Sequence, residues 1–230
     1  MIYKKYAKYY DSLYTDKNYT KECDDIYDLI KKHLVADTIN MVDLGCGSGT
    51  HATIFHKLGI NVIGIDQSEE MIKLAKEKNP EGRFIIDDIT TAKLVEKANV
   101  AVSLFHVVSY LTTDEQLNNF LDRVRDNIET DGLLIFDVWI GNGVLTDPPS
   151  KRTKKIDDDT IRIATPTVDY DNQIVDVEYV IGDTTELHQM RYFFPREIKY
   201  ILKEKGFKLI SQTPVVDKDT WAMLLVCKKK

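Results

Sequence analysis

The residues Val42-Asp43-Leu44-Gly45-Cys46-Gly47-Ser48-Gly49 carry the densest potential chemistry in the sequence. An apolar run ends there in three alternating glycines, and helical spacing begins at Thr50. The glycines therefore mark a strand-to-helix turn, where backbone without Cβ atoms can approach a ligand closely. Asp66 stands 21 positions beyond Gly45 and directly follows the apolar run Val62-Ile63-Gly64-Ile65. At the carboxyl end of a second strand, its carboxylate can accept both hydroxyls of a ribose. A Gly-x-Gly-x-Gly string alone also describes a plain tight turn. Paired with Asp66, it points to a nucleotide-like ligand.

Charge and spacing discriminate between nucleotides. A dinucleotide fingerprint runs Gly-x-Gly-x-x-Gly and sets a pyrophosphate on the helix N-terminus. Here Gly49 comes one residue early, and Asp43 stands two positions ahead of Gly45. A carboxylate at that place repels a pyrophosphate and attracts the sulfonium and ammonium groups of S-adenosylmethionine (SAM). The spacing predicts SAM rather than NAD(P).

These residues need a scaffold, and the pattern around them supplies one. Short β-branched runs near Asn40–Leu44, Asn61–Ile65, Arg83–Ile86, Val100–Leu104 and Leu133–Val138 alternate with amphipathic stretches at Thr50–Leu58, Glu69–Lys78 and Asp114–Ile128. Thr112 or Thr113 can cap the last of these, with Asp131-Gly132 as a stop. Such alternation is how βαβ units and a parallel sheet read. The rhythm changes at Trp139. Gly141-Asn142-Gly143, Pro148-Pro149 and the polar run Lys151–Asp159 are loop signals, after which Thr160–Thr167, Gln173–Ile181 and Glu186–Phe194 alternate like antiparallel strands. A helix at Pro195–Lys205, with Gly206 beyond its end, and strands near Phe207–Ser211 and Thr220–Cys227 then complete the core.

The expected fold is α/β: a Rossmann-like, seven-stranded, mostly parallel sheet with helices on both faces, plus an antiparallel β insertion capping the active site. The core takes residues 1–138 and 195–230, with 1–35 as an N-terminal helical lid segment, and the inserted cap takes 139–194.

Composition narrows the partners. The 230 residues carry 37 acidic against 31 basic side chains, a formal net charge of −6, and no long Lys/Arg stripe, so a nucleic-acid partner is not expected. Cys23, Cys46 and Cys227 are odd in number and far apart, without Cys-x-x-Cys spacing; neither a disulfide framework nor a zinc site is indicated. No run approaches the ~20 apolar residues of a membrane span, and the N-terminus does not read as a signal peptide. A cytoplasmic protein that touches no membrane is expected.

Asp43-Leu-Gly-Cys-Gly-Ser-Gly49, Gly64-Ile-Asp66-Gln-Ser-Glu-Glu-Met71, Asp87-Asp88-Ile89 and Asp131-Gly-Leu-Leu-Ile-Phe-Asp137 resemble, in order, the signature segments of class I SAM-dependent methyltransferases. The resemblance implies that Gly45, Cys46 and Gly47 line the methionine part of the cofactor and that Asp66 holds the ribose. It places Gln67 and Met71 beside the adenine, and Asp88 with Ile89 at the adenine edge. Leu104, Phe105 and His106 follow the fourth strand, where such folds place the face under the transferable methyl. His106 can there be a general base, a cofactor contact through its backbone, or a hydrogen-bonded structural residue, since methyl transfer needs mainly in-line approach.

Phe105-His-Val-Val-Ser-Tyr110, Phe136-Asp-Val-Trp139 and His188-Gln-Met-Arg-Tyr-Phe-Phe194 are also similar to small bacterial methyltransferases of surface-polysaccharide and deoxysugar pathways, including N,N-dimethyltransferases of nucleotide-linked amino sugars. That resemblance implies that the lid and the inserted strands close over the cofactor. Tyr10 and His188 then join His106 as catalytic candidates, and Tyr19 joins the cofactor set. Tyr14, Tyr110, Trp139, Asn142, Arg191 and Tyr192 become acceptor candidates. Tyrosines at helical spacing equally describe a packing face. Arg191 can grip a phosphate bidentately or sit on a solvated strand face.

Two features are decoys. Asp147-Pro148-Pro149-Ser150 lacks the aromatic residue of an amino-group methyltransferase motif, and adjacent Asp157, Asp158 and Asp159 cannot all turn toward one cation. No metal is expected. The expected function is methyl transfer from SAM to N or O of a small soluble acceptor, a sugar-nucleotide or phosphorylated metabolite, with a non-catalytic SAM sensor or a nicotinamide oxidoreductase as alternatives. The edges of the inserted strands could pair in a homodimer.

Overall fold

The computed structural model describes residues 7–215 and 221–230. Five strands, β1 (Asn40–Leu44), β2 (Asn61–Asp66), β3 (Arg83–Ile86), β4 (Ala98–Ser103) and β5 (Ile128–Ile140), lie parallel in the order β3-β2-β1-β4-β5. Beyond β5, the hairpin of β10 (Phe207–Pro214) and β11 (Ala222–Lys229) closes the core, with β11 antiparallel to β5. These are the seven expected core strands. Residue 220 of the last predicted strand, like the first six residues of the predicted lid, lies outside the described residues.

Parallel strands buried on both faces read as continuous apolar runs, and successive residues serve opposite sides. In β5, Leu133 and Ile135 face the helices α2 (Tyr19–His33), α3 (Thr50–Lys57) and α4 (Glu69–Lys78), whereas Leu134, Phe136 and Val138 face α5 (Asp114–Asn127) and α7 (Pro195–Glu204). Thr113 caps α5 with a reciprocal capping box: its hydroxyl accepts the Gln116 N–H at 3.2 Å, and the Gln116 side chain accepts the Thr113 N–H at 3.2 Å. The expected stop at Asp131-Gly132 is an irregularity inside β5, where pairing with β4 jumps from Ile128 to Leu133 and Asp131 has φ +63°.

The insertion departs from expectation in two ways. The polar run expected as loop contains β6 (Arg152–Lys155), paired antiparallel with β7 (Ile161–Asp169). An edge strand has no second partner and tolerates charged side chains. The glycine-rich stretch after β5 is a short helix, α6 (Gly141–Thr146). More consequentially, the ladder of β6, β7, β8 (Ile174–Ile181) and β9 (Thr184–Phe193) joins the central sheet, because Trp139 and Ile140 of β5 pair in parallel with Tyr192 and Phe193 of β9. One eleven-stranded sheet results. The N-terminal helix α1 (Ala7–Leu13) packs on this extension, with Leu13 against Ile181 and Tyr179. Among the described residues, no helix is long and apolar enough to cross a membrane.

Candidate active site

The carboxyl ends of β1, β2 and β4 open into a cleft of about 350 Å³. Its floor is the turn after β1. Gly45 and Cys46 both donate their N–H to Ile65 O, at 2.7 and 3.0 Å, which pins the turn onto β2. Gly45 has φ +78°, and a Cβ there would run into Val107. Gly47 also has positive φ, +53°, but nothing lies within 4 Å of where its Cβ would be. The first glycine is required by packing and the second leaves room.

Asp66 ends β2. Its Oδ2 accepts the Gly47 N–H at 2.9 Å and its Oδ1 the Ser68 N–H at 2.9 Å, so the carboxylate is aimed by the backbone and keeps lone pairs for hydroxyl donors. Burial pushes its pKa up, while these backbone donors pull the other way. Gln67, Met71, Asp88 and Ile89 continue the wall. Asp88 lines the cleft and accepts from Thr90 N and Oγ1, both at 2.7 Å; its neighbour Asp87 is not among the lining residues.

Of the cofactor residues expected from sequence, Tyr19, Gly45, Cys46, Gly47, Asp66, Gln67, Met71, Asp88, Ile89, Leu104 and Phe105 all line the cleft. Asp43 does not. It is 2 % exposed beneath the turn, its Oδ2 has no hydrogen-bond partner, and burial raises its pKa to about 6 despite the nearby His51. Sequence reasoning missed His51, which lines the cleft and bonds Glu22 at 2.7 Å. Burial alone would raise the Glu22 pKa, but His51 and Lys17 bring it down to about 2. It also missed Thr50, Leu111 and Gln116 on the walls. An isolated His or Thr in a helix gives no sequence signal until the turn beside it is folded.

The N-terminal helix α1 is tied to the same turn. Ser48 Oγ donates to Asp11 Oδ1 of α1 at 2.7 Å, and Lys78 Nζ reaches Ser48 Oγ at 3.0 Å, Thr50 Oγ1 at 2.6 Å and Asp11 Oδ2 at 3.0 Å. This places Tyr10 in the cleft wall, with Tyr14 behind it, edge-on to Phe105 at 4.8 Å between centroids.

The acceptor candidates divide sharply. Tyr110 lines the cleft, and its hydroxyl lies 2.8 Å from His188 Nδ1. His188 itself is 1 % exposed behind Tyr110, stacked edge-on against Tyr179 at 4.7 Å. Burial lowers its pKa to about 4, and the charge of Arg162 adds to this against the opposing Glu186. His188 sits behind Tyr110 and is not among the residues lining the cleft. No residue of the insertion, 139–194, lines the cleft. Arg191 pairs through its two terminal nitrogens with Asp114 Oδ1 at 2.7 Å and Glu197 Oε1 at 2.6 Å, so its charge is already met by two carboxylates. Tyr192 is 1 % exposed and packs with Trp139, Met190 and Trp221. Asn142 is exposed on α6, away from the cleft. The insertion joins the sheet beside this cleft, because β9 pairs with the end of β5.

His106 is not on the cleft wall, yet it borders Phe105, which is; their rings stack at 5.6 Å, and Trp139 meets His106 edge-on at 6.1 Å. Its Nδ1 lies 2.6 Å from Asp137 Oδ2.

Residues 41–132 match the family model described as a methyltransferase domain. A dTDP-3-amino-3,4,6-trideoxy-alpha-D-glucopyranose N,N-dimethyltransferase of Streptomyces venezuelae is 29% identical over 136 residues, 58% of this chain and 57% of that protein. The chain spans little more than half the length of such curated relatives. A SAM-dependent methyltransferase from Clostridium acetobutylicum ATCC 824 shares the fold with a TM-score of 0.84 at 20% identity, covering 100% of this chain and 99% of that one. SAM-bound CalS10, an amino pentose methyltransferase from Micromonospora echinaspora involved in calicheamicin biosynthesis, gives 0.79 at 18% identity, covering 100% and 98%. The resemblance to class I SAM-dependent methyltransferases, and to the amino-sugar group among them, is borne out, as is the Rossmann-like fold.

Proposed function

We propose, from the premise of a SAM-dependent methyltransferase domain and fold, that the chain transfers the methyl of SAM to a nitrogen or oxygen of a small acceptor of the sugar-nucleotide or phosphorylated-metabolite kind. The observation that carries the cofactor reading is the charge of the cleft. Its described lining holds two carboxylates, Asp66 and Asp88, and no Lys or Arg, with Asp43 buried beneath. A pyrophosphate would find repulsion there, while a sulfonium and an ammonium find attraction. Asp66 holds the ribose hydroxyls, Gly45 to Gly47 lie along the methionine part, and Asp88 and Ile89 meet the adenine. Phe105 and Tyr110 wall the methyl end.

The acceptor class is supported by the relatives, two further ones being N,N-dimethyltransferases of dTDP-linked amino sugars. Calorimetric titration with SAM, S-adenosylhomocysteine and NADH tests the cofactor. Wild type should bind the first two at micromolar concentration, and Asp66→Ala should bind them about 100-fold more weakly, equivalent to ~2.7 kcal/mol. Binding of NADH without SAM would overturn the reading. Radiolabelled SAM with dTDP-linked amino sugars and hydroxyl analogues then decides the acceptor atom.

A further inference from the structure

Tyr19 and Glu22 stand three apart in the first turn of α2, whose entry Asn18 caps by accepting the Lys21 N–H at 3.0 Å. Side chains so spaced leave a helix on one face. The Tyr19 ring lies edge-on to His51 of α3 at 5.0 Å, and Glu22 Oε2 lies 2.7 Å from His51 Nε2 and 2.9 Å from Lys17 Nζ. Burial opposes the charge of Glu22, but His51 and Lys17 bring its pKa down to about 2, so the carboxylate accepts from both nitrogens. Lys17 Nζ in turn lies over the rings of Tyr19, at 5.3 Å, and Phe105, at 4.7 Å. The side chains of Lys17 and Glu22 are only 11% and 22% exposed. An ion pair sequestered this far gains little net stability from its charges, so its placement is better explained by what it faces.

Strand order gives that direction. Asp88 follows β3, Asp66 ends β2, the glycine turn follows β1 and Phe105 follows β4, and these strands lie in the order β3-β2-β1-β4. A ligand with its adenine at Asp88 and its ribose at Asp66 carries its remaining part across the glycine turn toward Phe105. Tyr19 and His51 line the cleft there; Glu22 and Lys17 are bonded to or stacked on lining residues without being among them. In SAM that remaining part ends in an α-amino acid, with one ammonium and one carboxylate. Burial and the nearby Tyr14, Glu22, Asp11 and Asp16 push the Tyr19 pKa up, so its hydroxyl keeps its proton and can donate.

We propose that Lys17, Glu22 and His51, together with the Tyr19 hydroxyl, read the α-amino-acid terminus of the cofactor; this rests on the methyltransferase reading above. Tyr19 and His51 touch the terminus. Glu22 is a positioning residue that holds His51 and Lys17 together, and its charge paired with that of Lys17 complements the zwitterion. A 5′-thioadenosine without an amino acid would keep the contacts at Asp66 and Asp88 and lose these.

Calorimetric titration with S-adenosylhomocysteine and with 5′-methylthioadenosine, which keeps the adenosine and thioether and lacks the amino acid, tests the proposal. Wild type should bind S-adenosylhomocysteine about 100-fold more tightly than 5′-methylthioadenosine. Glu22→Gln and His51→Ala should each weaken S-adenosylhomocysteine roughly ten-fold and leave 5′-methylthioadenosine within about two-fold. Tyr19→Phe removes one hydroxyl and keeps the ring, so it should fold as wild type does and show the same selective loss by about three-fold. Equal losses for both ligands, no loss for either, or equal wild-type affinity for the two overturns the proposal and leaves the network as packing between α2 and α3. Wild type that binds neither ligand sinks the methyltransferase reading itself, an outcome distinct from tight S-adenosylhomocysteine binding that no variant alters.

Discussion

The two ends of the site are built from different materials. At the cofactor end, the turn after β1 and the end of β2 present backbone and one carboxylate, and the partners lie within a few residues of each other or on adjacent strands: Gly47 N–H on Asp66, Gly45 N–H on Ile65 O. Among the residues expected to serve catalysis or the acceptor, the contacts are side chain to side chain across long stretches of sequence, with His106 on Asp137, Tyr110 on His188, and Arg191 on Asp114. A backbone-built cradle tolerates few residue types and announces itself. A side-chain network can be assembled from many, and does not.

The sharpest way to break this comparison is at the two glycines. Gly45→Ala would force a Cβ into Val107 at a positive φ and should abolish measurable SAM binding while lowering the melting temperature. Gly47→Ala faces open space, so its stability cost should be limited to the left-handed backbone, ~1 kcal/mol, while its Cβ intrudes on the ligand. Calorimetry and thermal melting of both should show similar losses of binding but unequal losses of stability.

At the other end, Arg191→Ala should act on stability alone. It leaves the half-buried Glu197 without its cation, at about 2 kcal/mol after allowing for the exposure of Asp114. A melting temperature lower by roughly 4–8 °C is expected, with SAM affinity unchanged. A selective rise in acceptor KM would instead restore Arg191 to the acceptor site.

The ends should also respond oppositely to pH. His188 has its pKa lowered from 6.5 to about 4, so its contribution is present above pH 6.5 and lost as pH falls through 4. Asp43 has its pKa raised from 3.8 to about 6, so its contribution is full below pH 3.8 and lost as pH rises through 6. Denaturant midpoints between pH 4 and 7.5 should show His188→Gln flattening the acid loss and Asp43→Asn flattening the opposing one, each on the order of 1–2 kcal/mol. Parallel changes in both variants would contradict the assignment. The smallest effect is expected for Tyr110→Phe. It keeps the aromatic wall and removes the hydroxyl bonded to His188, costing about 1 kcal/mol of stability, with acceptor KM changing only a few-fold.

Local periodicity made the core elements legible. The helix Glu69–Lys78 was readable to the residue, because Ser68 caps it and charged residues bound an apolar stripe. β6 was not, because an edge strand of Arg, Thr and Lys carries no apolar signature and exists only through its register with β7. Eleven of the twelve expected cofactor residues line the cleft, and Asp43 lies beneath it. Among the acceptor candidates, Tyr110 does so while Trp139, Asn142, Arg191 and Tyr192 do not.

The sequence by itself determined the glycine turn, the carboxylate that follows β2 and the sign of the charge around them, because each depends on residues that are close in the chain or on a repeating strand-helix rhythm. Tertiary structure alone decided that the insertion extends the central sheet, and that His106 meets Asp137 while His188 is buried behind Tyr110. Those outcomes follow from two residue pairs between β5 and β9 and from contacts spanning dozens of positions, for which alternation of polar and apolar residues carries no information.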